Sequence, residues 1–261
     1  MTRIIHLSDP HFGTEDPALL RPLCDWVHAA RPDAVILSGD LTQRARPAQF
    51  AAAARFIADL PASVLAAPGN HDTPLGNLAL RLFIPWSRYR AVLPELEPMV
   101  DAGNARIVGV NTANPRVWKD GRITQAQLDR LRRAFDAAPD RRRIVAMHHP
   151  VEGPPGEPPS LAGATGAARA FAAMGVEIIL SGHLHFTYAA PLSLAPAVLS
   201  VQAGTCISTR TRQDGNAFTM LDLGDNSVTL THIRAQTDKT FRADADWTLR
   251  QEGGRWTGTG L

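Results

Sequence analysis

The feature that most constrains this chain is a recurring unit: a short apolar run that stops at an acidic, amide or imidazole residue. Residues 4–8 end in Asp9-Pro10, residues 34–38 in Gly39-Asp40, and Ser63–Ala67 in Pro68-Gly69-Asn70-His71-Asp72. Residues 143–147 end in His148-His149-Pro150, and residues 176–181 in Gly182-His183-Leu184-His185. Aliphatic runs of this length bounded by Gly, Pro or Asp are strand signals. Between the first two, Pro17–Ala30 carries Leu19, Leu20, Leu23, Trp26 and Val27 at helical spacing, and residues 48–60 predict a second helix. Strand, crossover helix and strand form a β-α-β unit, so these strands are expected to run parallel.

Beyond residue 73 the alternation weakens. Residues 74–99 hold Trp86, Tyr89 and several prolines and predict an irregular or helical excursion, a candidate lid or homodimer interface. A strand is expected over 106–111, an amphipathic helix over 124–138, a Gly- and Pro-rich loop over 151–166 and a helix over 167–174. Residues 197–234 break into short β-branched runs separated by Gly, Asn and Asp, the pattern of antiparallel strands, while the tail after Asp238 has little periodicity and is expected to pack loosely.

A length of 261 residues suits one α/β domain over 1–261, with no second enzymatic domain. Nothing in the chain approaches the apolar span that a membrane helix needs, and with residues 1–3 running straight into the first expected strand no cleaved leader is expected. Cys24 and Cys206 are far apart and belong to no close pair, which argues against a disulfide framework or a thiolate metal site and fits a reducing cytoplasm. The net charge is only +2. The basic group Arg130, Arg132, Arg133 and Arg141 to Arg143 therefore counts as a solvated helix face and turn, and neither nucleic acid nor membrane is an expected partner.

The chemistry lies in the polar tips: Asp9-x-His11, Gly39-Asp40, Gly69-Asn70-His71-Asp72, His148-x-Pro150 and Gly182-His183-x-His185. Six of the nine histidines fall inside these motifs, and loops at strand ends are where α/β folds build sites. Carboxylates, imidazoles and an amide together suit Mn, Fe or Zn ions better than a thiolate site. The chain has no Gly-x-Ser-x-Gly elbow, no P-loop and no dinucleotide-binding turn, so those enzyme classes have no foothold.

The ordered set, running from residue 9 to residue 185, resembles the calcineurin-like metallophosphoesterases. Gly39-Asp40-Leu41-Thr42, the late Gly-His-Leu-His and the short chain resemble more narrowly the bacterial class III cyclic-nucleotide and glycerophosphodiester phosphodiesterases. The resemblance implies a four-layer α-β-β-α sandwich of two mixed sheets and two divalent or mixed-valence ions (Mn, Fe or Zn). It implies that Asp9, His11 and His185 hold one ion and Asn70, His148 and His183 the other, with Asp40 bridging. It further implies hydrolysis of a small phosphodiester, most simply a 3′,5′-cyclic nucleotide, by a hydroxide shared between the ions. His71 would act on the leaving group, with Asp72 orienting its ring or, alternatively, serving as a helix cap.

His149 is the ambiguous neighbour of His148. Gln43 stands where purple acid phosphatases carry a tyrosine ligand, so no ferric-tyrosinate centre is expected. Arg210 and Arg212 lie in a polar stretch that fits either substrate contact or a solvated hairpin, and Trp86 and Trp118 are assigned no role. The alternative substrates are glycerophosphodiesters or other phosphoesters. The alternative of another class is a noncatalytic phosphate-binding or scaffolding protein, although all seven ligand positions and His71 are intact.

Overall fold

The computed structural model describes residues 1–212 and 215–259. Strands β1 (Thr2–Leu7), β2 (Ala34–Ser38) and β3 (Ser63–Ala67) alternate with helices α1 (Pro17–Ala30) and α2 (Pro47–Ala58). Asp16 caps α1 by accepting the Ala18 amide, and Pro17 occupies the first turn, where no amide donor is missed. The three strands pair in parallel, as their crossover helices require.

The excursion contains α3 (Leu78–Phe83) and α4 (Ser87–Arg90). Its second half is anchored, because Tyr89 is fully buried and its hydroxyl donates to the Ala66 carbonyl. Next come β4 (Met99–Ala102), β5 (Ala105–Val110), the short β6 (Gly121–Arg122), α5 (Gln125–Asp136) and β7 (Arg142–Met147). They are followed by β8 (Leu161–Ala162), α6 (Ala164–Ala173), β9 (Ile178–Ser181), β10 (Tyr188–Leu192) and β11 (Ala195–Gln202). Strands β12 (Ala217–Leu223), β13 (Ser227–Ala235), β14 (Phe241–Glu252) and β15 (Arg255–Thr259) end the described chain.

One sheet has the order β15-β14-β13-β12-β1-β2-β3 and the other β10-β11-β9-β7-β5-β4, and β6 pairs with β8. Three apolar layers separate four structural layers. Ile5, Val35 and Leu37 face α1 and α2. Ile4, Ile36, Ile144 and Ile178 fill the space between the sheets. Val145, Met147 and Ile179 face α5 and α6. Central strands are buried on both faces, which explains why they read as continuous apolar runs.

Three expectations need correction. The tail after Asp238 does not pack loosely: β14 pairs with β13 and β15 with β14, and Leu249 and Trp256 are buried between the sheets. Its outward face is charged, so few apolar residues remain to mark a strand. Of the late strands, β12 and β13 pair antiparallel as expected, but β11 is antiparallel only to β10 and runs parallel to β9. The expected loop over 151–166 also contains β8 and the start of α6.

Candidate metal centre

The loops after β1, β2, β3, β7 and β9 converge on one point. Five of the eight non-glycine residues with positive φ among the described residues lie there: Asp9, His11, Asp40, His183 and His185, at φ 47–72°. The Asp9-x-His11 stretch is thus not extended; left-handed backbone turns both side chains inward. Such strain concentrates where surrounding structure enforces a functional geometry. Gly39 permits this packing, since a Cβ there would stand 2.4–2.8 Å from the His148 side chain.

The expected ligands fall into two groups around Asp40. In the first, His11 Nε2 and His185 Nε2 are 3.1 Å apart, and Asp9 Oδ1 lies 3.6 Å and 3.3 Å from them. In the second, His148 Nε2 is 3.2 Å from Asn70 Oδ1 and 3.3 Å from His183 Nδ1. Asp40 Oδ2 stands between, 3.8 Å from His11 Nε2 and 3.3 Å from His148 Nε2.

Backbone carbonyls fix the tautomers. A carbonyl only accepts, so His148 Nδ1 donates to Ser38 O and His185 Nδ1 to Arg210 O, both at 2.8 Å, leaving each Nε2 for the cluster. The Asn70 amide donates to the Trp118 carbonyl at 3.3 Å, which turns its oxygen inward.

Charge makes the same point. Burial alone would raise the Asp9 carboxyl, but His185 and His11 outweigh it and hold it well below the ordinary carboxylate value. Asp40 is lowered too, because His148 and His71 overcome its burial. Burial opposes a charge on His148, yet Asp40 and Asp9 raise it to about 9, while burial and His148 lower His183 to about 3. Asp9 Oδ1 and His183 Nε2 are buried without hydrogen-bond partners, and three-ligand groups from Asp9, His11, Asp40, His148 and His185 have donor atoms close enough to share an ion. The donor set fits two transition-metal ions.

His71 faces the same space. Its Nδ1 donates to Gln43 O at 2.9 Å, its Nε2 meets Arg210 Nη1 at 3.3 Å, and its backbone amide donates to Asp40 Oδ1 at 2.8 Å. Burial lowers its pKa. Asp72 does not orient this ring, which corrects that expectation. Its carboxylate accepts the amides of Gly69, Leu41 and Thr42 and the Thr42 hydroxyl, tying the loop after β3 to the loop after β2. Burial and Asp40 push Asp72 up to about 7, against those amides.

His149 touches His148 and His183 ring to ring, at 4.8 Å and 4.7 Å. Its ring nitrogens are nevertheless both engaged: Nε2 donates to Lys119 O and Nδ1 meets the Thr112 hydroxyl, each at 2.8 Å. It is a strut, although proximity alone would group it with the ligands. Arg210 is the residue the sequence leaves most ambiguous. Its carbonyl holds His185 and its guanidinium reaches His71 and Gln43, whereas Arg212 pairs with Glu157 at 3.0 Å and covers Phe186. No local motif marks Arg210, because Cys206 and Ile207 reach the first loop by bonding to Ser8 and Asp16. A cavity of about 760 Å³ lies between α1 and α2 and includes none of the clustered residues.

A two-sheet sandwich that gathers two carboxylates, one amide and four imidazoles at its strand ends defines a metal-dependent phosphoester hydrolase. The chain belongs to the calcineurin-like phosphoesterase family, whose profile it matches over residues 2–186, all the clustered residues included. A probable cyclic nucleotide phosphodiesterase of Rhodococcus erythropolis is 27% identical over 235 residues, 78% of this chain and 70% of the relative. The 3′,5′-cyclic adenosine monophosphate phosphodiesterase CpdA of Pseudomonas aeruginosa is 30% identical over 158 residues, 56% of this chain, and the match spans about half of that relative, 54%. A dimetal phosphatase from Danio rerio shares the fold, with a TM-score of 0.67 at 15% identity over 93% of this chain and 98% of that one. Among the described residues no helix is long and apolar enough to cross a membrane.

Proposed function

We propose that the protein hydrolyses a small phosphodiester, and specifically a 3′,5′-cyclic nucleotide. Asp9, His11 and His185 would hold one ion, Asn70, His148 and His183 the other, and Asp40 both. The observation that carries this reading is the convergence of the two half-sites on Asp40 Oδ2, within 3.3–3.8 Å of an imidazole nitrogen from each. Two of the relatives described above are named as cyclic nucleotide phosphodiesterases, which supports the substrate class.

When bound, two Mn, Fe or Zn ions supply neutralising charge for the phosphoryl oxygens and acidify a water molecule. The chain supplies the rest. The Ser38 and Arg210 carbonyls hold His148 and His185 with Nε2 inward. The His71 amide fixes the second oxygen of Asp40, and the Gln43 carbonyl keeps a proton on His71 Nδ1. His71 Nε2 is then the atom that exchanges a proton with the departing alkoxide. Arg210, beside it, would take a non-bridging phosphate oxygen through its planar fork of N–H donors.

The test is hydrolysis by the Mn-reconstituted protein of 3′,5′-cyclic AMP, a glycerophosphodiester, bis(4-nitrophenyl) phosphate and 4-nitrophenyl phosphate. Preferred turnover of the cyclic nucleotide, abolished by chelation, is expected. Turnover of the aryl diester without the cyclic nucleotide would keep the diesterase and discard the substrate. No turnover with two ions bound would discard both.

A further inference from the structure

Trp118 is 61% exposed although its loop is held in place from three sides. The Asn70 amide donates to the Trp118 carbonyl and His149 Nε2 to the Lys119 carbonyl, so the expected ligand Asn70 and the strut His149 grip adjacent peptide groups. On the far side Arg81, only 2% exposed, donates to the carbonyls of Pro115 and Val117 at 2.7 and 2.6 Å and to the Thr73 hydroxyl. The same guanidinium lies 4.8 Å from the Trp118 ring centroid. Gly121 completes the fit, because a Cβ there would stand 2.4–2.8 Å from the His149 side chain.

A buried arginine with its donors spent on this loop and on Thr73 backs the indole, and leaving an indole in water wastes hydrophobic burial. Trp86 contrasts with it, being packed against the core and against Tyr89. We infer that Trp118 is the floor of a nucleobase subsite: the base of the substrate stacks on its exposed surface while the phosphate sits at the cluster. Its backbone stands one amide away from that cluster, since Asn70 turns its oxygen to His148 and its nitrogen to Trp118. Stacking is sequence-tolerant and stronger for larger rings, so the subsite takes purines in preference to pyrimidines.

This inference rests on the proposed phosphodiesterase reading, and a baseless substrate separates the two. The Mn-loaded wild type, Trp118→Ala and Trp118→Phe are assayed on 3′,5′-cyclic AMP, 3′,5′-cyclic CMP, ribose 3′,5′-cyclic phosphate and bis(4-nitrophenyl) phosphate. Trp118→Ala is expected to lower kcat/KM for cyclic AMP by about tenfold or more, chiefly through KM, with a smaller loss for cyclic CMP and none for the ribose compound. Trp118→Phe should retain most of the wild-type value. An equal loss on the base-bearing and baseless cyclic phosphates, or no loss on cyclic AMP, overturns the subsite. Wild-type turnover of the aryl diester with none of any cyclic nucleotide also overturns it and leaves the diesterase standing; no turnover of any substrate overturns both.

Discussion

Asp9, His11, Asp40, His183 and His185 each hold a left-handed backbone, at a cost of about 1 kcal/mol apiece. The surrounding hydrogen bonds offset that cost, among them Ser8 Oγ and the His183 amide on Asp9 Oδ2 at 2.5 and 3.0 Å. Replacing His71 by Ala should lower kcat by roughly 10²- to 10⁴-fold while metal analysis still finds two ions per chain; unchanged kcat would remove it from the reaction. His6 offers a test away from the chemistry. It is fully buried, bonded to Ser38 Oγ at 2.8 Å, and burial lowers its pKa to about 3. Above the unfolded value of about 6.5 both states are neutral and His6 adds no pH dependence. Below it only the unfolded chain takes the proton, so stability falls by ~1.4 kcal/mol per pH unit until the folded value is reached. Urea unfolding at pH 7.5 and pH 5 should show the acid loss reduced by ~2 kcal/mol in His6→Gln; an equal loss in both proteins would rule out this contribution.

At the scale of elements, loops and late strands do work that their sequences hide. Gly39 follows β2 at φ 99° against the His148 side chain, so Gly39→Ala should displace His148 and the Asp40 loop together. A fall of at least tenfold in Mn affinity, measured by calorimetry, is expected from the strain and the shifted imidazole. The β14–β15 hairpin anchors the C-terminal side of the larger sheet through Trp256, which is buried beneath Arg142 and donates its indole N–H to the Glu177 carbonyl at 3.1 Å. Trp256→Ala should destabilise the fold by about 3 kcal/mol, the usual cost of truncating a buried aromatic. A urea midpoint equal to that of the wild type would show that the hairpin is dispensable.

For the whole molecule, folding and metal binding should be coupled. The two sheets bring Asp9 and Asp40 beside four imidazoles only when β1 and β2 of one sheet and β7 and β9 of the other lie face to face. An ion that binds this arrangement and not the unfolded chain stabilises it by RT ln(1 + [L]/Kd), ~2.7 kcal/mol at a hundredfold excess over Kd. Excess Mn should therefore raise Tm by several degrees and a chelator reverse the gain. The Asp40→Ala protein should show a clearly smaller response, and a Tm indifferent to metal would contradict a site at this junction.

The sequence by itself determined the β-α-β half of the fold and the polar tips of five strands, because apolar runs, helical spacing and motif residues are local and survive without coordinates. α1 was legible residue for residue from its periodicity. Tertiary structure alone decided which neighbouring groups face those tips. Asp72 and His149 sit inside or beside motifs, yet their polar atoms are taken by backbone and hydroxyl groups; Arg210 and Trp118 lie outside every motif, yet reach His71 and Asn70. The β14–β15 hairpin was hidden for a related reason, since its outward face is charged and its apolar face is defined only by the sheet it meets. Hydrogen bonds and packing faces join residues distant in sequence, so they leave no period and no motif to read.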